Sequence, residues 1–203
     1  MTGKVRRPAR TPRLPAAPAP LANGPRVFLR LLVSADAAAF VAAARKSLRL
    51  HRPWVHPPTA VVEFVRRMQR PPGDSNWIAL LAVRREDDAL LGVFNLSEII
   101  RGPLQQSFLG YFAFAPHTGQ GYMREGLGLV LDYAFRRLKL HRIEANIQPA
   151  NAASIALARA GGLIREGFSA RYLKIGGRWR DHERWAINAD DWRARRRAEK
   201  TAP

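Results

Sequence analysis

Phe108-Leu109-Gly110-Tyr111-Phe112-Ala113-Phe114-Ala115-Pro116-His117-Thr118-Gly119-Gln120-Gly121-Tyr122-Met123-Arg124 is the stretch from which the fold is read. Phe108 to Phe114 follows the Gly102-Pro103 turn and has the composition of a strand. His117 to Gly121 is a turn, and Tyr122 to Leu138 repeats apolar residues at helical spacing through Leu127, Val130, Leu131, Ala134, Phe135 and Leu138. In such a strand, glycine turn and helix, successive N–H groups and the positive helix end can cradle a phosphate, and glycine leaves the approach open. Two glycines one residue apart also fit a plain tight turn, so the surrounding residues decide. A dinucleotide-binding fingerprint needs a third glycine where Arg124 stands, and a Walker loop needs a Gly-Lys-Ser/Thr that is absent.

Working toward the N-terminus, Trp77 to Val83 and Leu90 to Leu96 flank a charged turn and read as a hairpin. Thr59 opens a helix with Val61, Val62, Phe64, Val65 and Met68 mostly on one face, preceded by a proline-broken loop from Leu50 to Pro58. Ser34 or Asp36 caps an alanine-rich helix reaching about Ser47, after a short strand Val27 to Leu31. Toward the C-terminus come a strand Ile143 to Ile147, a helix Asn151 to Ala160 stopped by Gly161-Gly162, and a hairpin of Ile164 to Ile175 with Trp179 to Asn188.

The chain of 203 residues is one domain's worth, and its 47% hydrophobic and 25% charged residues are ordinary for a globular protein. No run approaches the roughly 18 apolar residues of a membrane-spanning helix, so no membrane partner and a cytoplasmic location are expected. The chain has no cysteine, which removes thiol nucleophiles and cysteine-bound metal. The net charge of +18 attracts phosphates, RNA or acidic surfaces. Residues 1–25 hold five cations, six prolines and no acid, and read as a disordered leader. Residues 191–203 read as a basic tail, and 26–190 as the folded domain. The two ends carry about half of the charge, either as solubility arms or as weak RNA contacts.

The segment Phe112 to Met123 closely resembles the acyl-CoA-binding motif of the GNAT superfamily of N-acetyltransferases. Leu140-His141-Arg142-Ile143-Glu144-Ala145-Asn146-Ile147-Gln148-Pro149-Ala150-Asn151-Ala152-Ala153-Ser154 resembles that superfamily's next strand and Asn-x-x-Ser helix start. Gly161-Gly162-Leu163, Glu166-Gly167, Tyr172-Leu173 and Trp179-Arg180-Asp181-His182-Glu183 agree, over roughly residues 26 to 190. The chain is most similar to the branch that acetylates the N-terminal alanine of ribosomal proteins. One departure is Thr118, where the superfamily usually carries Arg or Gln.

The resemblance implies a mixed α/β fold: a mostly antiparallel central sheet with splayed middle strands, flanked by helices. It implies direct acetyl transfer from acetyl-CoA to an amine, without a metal or a covalent enzyme intermediate. Phe112, Phe114, Gly119, Gln120, Gly121, Tyr122, Met123, Arg124, Asn151 and Ser154 are the expected cofactor contacts. An N–H donor near Phe114 would stabilise the developing oxyanion, and Ser154 would protonate the departing thiolate or simply start its helix. Glu98 and His182 are the candidate bases, each with a structural alternative, and Glu144 reads as an ion-pair residue. Trp54 and Tyr172 are candidate acceptor contacts, Trp54 serving equally as a staple between helices. The expected acceptor is the α-amine of a protein N-terminus, alanine or serine, including on the ribosome. Small amines are the alternative, and a non-catalytic RNA-binding protein is the reading from another class. A monomer and a homodimer are both compatible with the sequence.

Overall fold

The computed structural model describes residues 18–69 and 74–201. Most of the expected leader, residues 1–17, lies outside them. Among the described residues, eight strands form one sheet in the order β1-β2-β3-β4-β5-β6-β8-β7. They are β1 (Ala22–Asn23), β2 (Val27–Leu31), β3 (Trp77–Arg84), β4 (Leu90–Ile100), β5 (Gln106–Ala113), β6 (Arg142–Ile147), β7 (Ile164–Ile175) and β8 (Arg178–Asn188). Every neighbouring pair is antiparallel except β5 and β6, which are parallel. A parallel pair requires a crossover. Helix α4 (Tyr122–Asp132) provides it, continued by a wider i→i+5 turn at Tyr133–Arg137 in which Leu138 N–H donates to Tyr133 O at 3.1 Å.

Strand alternation sends successive side chains to opposite faces, and helices cover both. On one face Leu80, Ala82, Phe94 and Leu96 pack with Leu127, Val130 and Leu131 of α4 and Ala158 of α5 (Ala152–Ala160). On the other, Leu81, Val83, Val93 and Phe114 meet Phe40, Val41 and Ala44 of α1 (Ala37–Lys46) and Phe64 of α3 (Val61–Met68). Val61 and Val62 are exposed, so the apolar face of α3 is narrower than its composition suggests. Within the expected loop 50–58, α2 (Leu48–His51) extends as far as His51.

The largest difference from the sequence reading is at the ends. Residues 191–201, expected in a basic tail, belong to helix α6 (Ala189–Thr201). Trp192 is buried and its indole N–H donates to Asp132 at 3.1 Å, while Arg195 donates to Ala160 O at 2.9 Å. One indole facing the core outweighs the high charge that suggested a solvated arm. Likewise Ala22–Asn23, expected in the leader, pair with Phe28 and Leu29 as the edge strand.

Candidate active site: a cleft where two parallel strands part

β5 and β6 are paired only from Gln106–Arg142 to Phe108–Glu144, and beyond that point they diverge. The gap opens into a cleft of about 460 Å³. Tyr111, Phe112 and Ala113 form one wall, the Gly119–Arg124 turn and helix start one end, and Asn151 and Ser154 the opposite side. Phe114 N–H donates to Leu91 O at 2.8 Å, so the main-chain groups of Phe114 face β4. By alternation those of Tyr111 and Ala113 face the gap, an open strand edge that an extended ligand can pair with.

The turn is built for an anion. Gly119 (φ 76) and Gly121 (φ 81) occupy the left-handed region, which side chains resist. Gly121 also caps α4, so the first N–H groups of an 11-residue helix point at the space above it. Arg26 braces the turn from β2's side: Nη1 donates to Gln120 O at 3.2 Å, and the guanidinium stacks 4.8 Å from the Tyr122 ring. Glu125 completes the brace, accepting from Arg26 N–H, Arg26 Nε and Val27 N–H at 2.8, 3.0 and 2.9 Å. Sequence reasoning missed this pair, although an acid in the first turn of α4 is a signal in itself.

On the opposite wall Asn151 caps α5, its Oδ1 accepting from Ser154 N–H at 3.1 Å. Tyr111, also missed, donates its hydroxyl to Ser154 O at 2.8 Å, and burial pushes its pKa upward. Gly92 was another missed position: a Cβ there would come within 2.5 Å of Phe112 O and 2.6 Å of the Met123 sulfur. An isolated glycine inside a strand marks such a close approach.

Of the residues expected to contact cofactor, Phe112, Gly119, Gly121, Tyr122, Met123, Arg124, Asn151 and Ser154 line this one cleft, and Trp54 joins them. Trp54 O also accepts from Gln148 Nε2 at 3.4 Å, bridging the α2 loop to the residue after β6. Two expected contacts, Phe114 and Gln120, are not among the residues that line the cleft. Phe114 is fully buried against Phe40, because its side chain points into the other core, and Gln120 turns its carbonyl toward Arg26 instead of lining the cleft.

The candidate bases and Tyr172 stand apart. Glu98 lies inside β4 (φ 49), exposed, at the irregularity between Ser97 and Ile100. The ladder runs from Ser97–Phe108 to Gly92–Ala113, so about 20 Å of strand separates Glu98 from the open end of β5. His182 is buried on β8, donating from Nδ1 to Arg180 O at 2.9 Å, and burial lowers its pKa. Tyr172 packs its ring 6.2 Å from that of His182, and neither lines the cleft. Glu144 pairs with Arg142 at 2.8 Å, as an ion-pair residue should.

Behind α2 lies a second groove of about 680 Å³, lined by Arg52, Arg66, Arg67, His56 and Glu63, and sharing His51 and Val55 with the first. Among the described residues no group of three or more His, Asp or Glu is arranged to hold a metal.

Comparison with known proteins agrees with this geometry. The family described as acetyltransferase (GNAT) domain matches residues 26–164. A probable N-acetyltransferase of Bacillus subtilis, YjcK, is 48% identical over 106 residues, covering 52% of this chain and 59% of the relative. The ribosomal protein uS5 alanine N-acetyltransferase of Escherichia coli is 36% identical over 107 residues, covering 53% of this chain and 55% of the relative. The aligned parts thus span a little over half of each curated relative. The solved structure of Mycobacterium smegmatis RimJ in complex with CoA-disulfide superposes with a TM-score of 0.75 at 26% identity, over 85% of this chain and 89% of that one. With its family match covering more than half of its length, and a parted β5–β6 pair beside a glycine-capped helix, this chain belongs to the GNAT acetyltransferase domain family.

Proposed function

We propose that the protein is an acetyl-CoA-dependent N-acetyltransferase whose acceptor is the α-amine of a protein N-terminus, alanine or serine. The observation that carries this reading is the parting of β5 and β6 beside the Gly119–Gly121 turn. That gap fits an extended pantetheine arm pairing with the β5 edge, with its pyrophosphate on the α4 N-terminus.

In the proposed reaction the neutral amine nitrogen attacks the thioester carbonyl carbon, the carbon–sulfur bond breaks, and the amine's proton passes to solvent. Holding the two partners together supplies most of the acceleration. The Ala113 N–H, on the cleft side of β5, donates to the developing oxyanion. Asn151 holds the pantetheine arm, and the Ser154 hydroxyl passes its proton to the departing thiolate while taking one up from solvent. No carboxylate base is assigned. At a pH of about 7.5 an α-amine of pKa about 7.8 is about one-third neutral, whereas a lysine of about 10.4 is only about one part in a thousand neutral.

The charge of +18 repels a basic acceptor. The groove behind α2 supports an acceptor of the other sign: Arg52, Arg66 and Arg67 line it against Glu63, and acidic residues behind the N-terminal amine would face them. The test is thiol release from acetyl-CoA with peptides that differ in their first residue and in the charge of the next few, beside small amines. Turnover confined to Ala- or Ser-starting peptides, faster with acidic followers, is expected. Turnover with small amines alone would assign the acceptor differently.

A further inference from the structure

The exit end of β5 is held by two side chains one helical turn apart. The Ser47 hydroxyl accepts from Ala115 N–H at 2.9 Å and donates to Ala43 O at 2.7 Å. His51, the last residue of α2, places Nε2 at 2.8 Å from Ala113 O. A carbonyl only accepts, so Nε2 carries the proton and Nδ1 the lone pair. That Nδ1 is buried and has no hydrogen-bond partner among the described residues. The ring is 3% exposed, lies 5.2 Å from the Phe112 ring and 6.1 Å from the Phe114 ring, and burial lowers its pKa, favouring the neutral form. It also forms part of the wall between the cleft and the groove behind α2.

In a continuous sheet β6 would satisfy this edge of β5. Here β6 has already diverged, and two side chains take its place for one carbonyl and one N–H. The Ala113 N–H faces the gap too, one peptide ahead of the anchored Ala113 O and joined to it through the Ala113 Cα. We propose that His51 and Ser47 are positioning residues: by anchoring Ala113 O and Ala115 N–H, on the two peptides that follow Ala113 N–H, they hold the β5 edge at Ala113 and so keep that N–H aimed at the thioester carbonyl oxygen. This rests on the acetyl-transfer reading above. Anchoring the strand for stability alone would not require the held peptide to adjoin the N–H that faces the reacting carbonyl.

The test compares wild type with His51→Phe, which keeps a ring without the donor, with His51→Gln, whose amide N–H can replace Nε2–H, and with Ser47→Ala. Acetyl-CoA labelled at its carbonyl is bound to each and the carbonyl stretch read by infrared difference spectroscopy, with kcat and KM measured on an Ala-starting peptide. The wild-type band should lie below that of free acetyl-CoA, move back toward it in His51→Phe, and return in His51→Gln. The kcat should fall about 10- to 100-fold in His51→Phe, with KM for acetyl-CoA within about twofold, and recover most of the way in His51→Gln. Ser47→Ala should give a smaller change of the same sign, and it answers the question if His51→Phe does not fold. Unchanged band and kcat in folded variants that still bind acetyl-CoA would overturn the positioning role alone. A wild type that binds no acetyl-CoA would overturn the transferase reading and the role with it.

Discussion

The Tyr111 hydroxyl donates to the main-chain carbonyl of Ser154 across 2.8 Å, tying the strand on one side of the cleft to the helix on the other. Where β5 and β6 have parted, this bond and the pair formed by Gln148 with Trp54 O span the opening. The cleft width is therefore set by side chains, and both its stability and its ligand affinity depend on them.

Tyr111→Phe removes that tie and keeps the ring. Loss of one buried neutral hydrogen bond costs about 1 kcal/mol, equivalent to about 2–4 °C in Tm for a chain of this size. A wider gap should also raise KM for acetyl-CoA. Thermal unfolding together with steady-state kinetics checks both effects.

Gly121→Ala puts a side chain at φ 81 and a Cβ 3.4 Å from an Arg26 guanidinium nitrogen. The left-handed backbone alone costs about 1–2 kcal/mol. Because this residue caps the helix that faces the pyrophosphate, calorimetry should show acetyl-CoA binding weakened about tenfold or more. The same substitution at Gly102, which is also left-handed (φ 71) but has open space around it and lies outside the turn, should leave affinity nearer to wild type.

Asp36 accepts two bonds from Arg30, at 2.9 and 2.7 Å, where both side chains are nine-tenths buried. It also accepts from Val33 N–H at 2.9 Å, shaping the entry to α1. Asp36→Ala would leave a buried guanidinium uncompensated, a loss of about 3–5 kcal/mol. Urea unfolding should show a lower midpoint with an unchanged slope.

Much of this was legible beforehand because period and punctuation agree: β2, α5 and both strands of the last hairpin fall within a residue or two of their sequence boundaries. The glycine turn could be read from its own residues, and Asn151 from the resemblance carried by the Asn-x-x-Ser helix start. Glu98 misled, since a strand expected to end at Leu96 continues through an irregularity to Ile100 and carries the carboxylate away from the opening. Trp192 was hidden among arginines that by count outvote it. His51 and Tyr111 were invisible for a different reason: their significance depends on which edge of β5 lacks a neighbour, and that is set by residues far along the chain.

Stability should fall in mildly acid solution, and the two buried histidines set the window. Burial lowers the folded-state pKa of both His51 and His182. Between that lowered value and the unfolded value of about 6.5 the unfolded chain binds more protons, so stability falls as pH drops below about 6.5. Carboxylates held down by arginine, such as Glu166 beside Arg142, lose their contribution only at lower pH, below about 4.5. Denaturant titrations from about pH 8 to 5 should show this slope, reduced in His51→Gln and reduced further when His182→Gln is added.

The central claim is that the parted strands hold acetyl-CoA for transfer to an α-amine. Its most direct test is a peptide beginning with alanine, carrying acidic residues next and one lysine further on, incubated with acetyl-CoA and the protein, with the site of modification mapped by tandem mass spectrometry. The account predicts a single acetyl group on the α-amine and an unmodified lysine. Acetyl-lysine with a free N-terminus, or no acetylation while the protein binds acetyl-CoA, would contradict it.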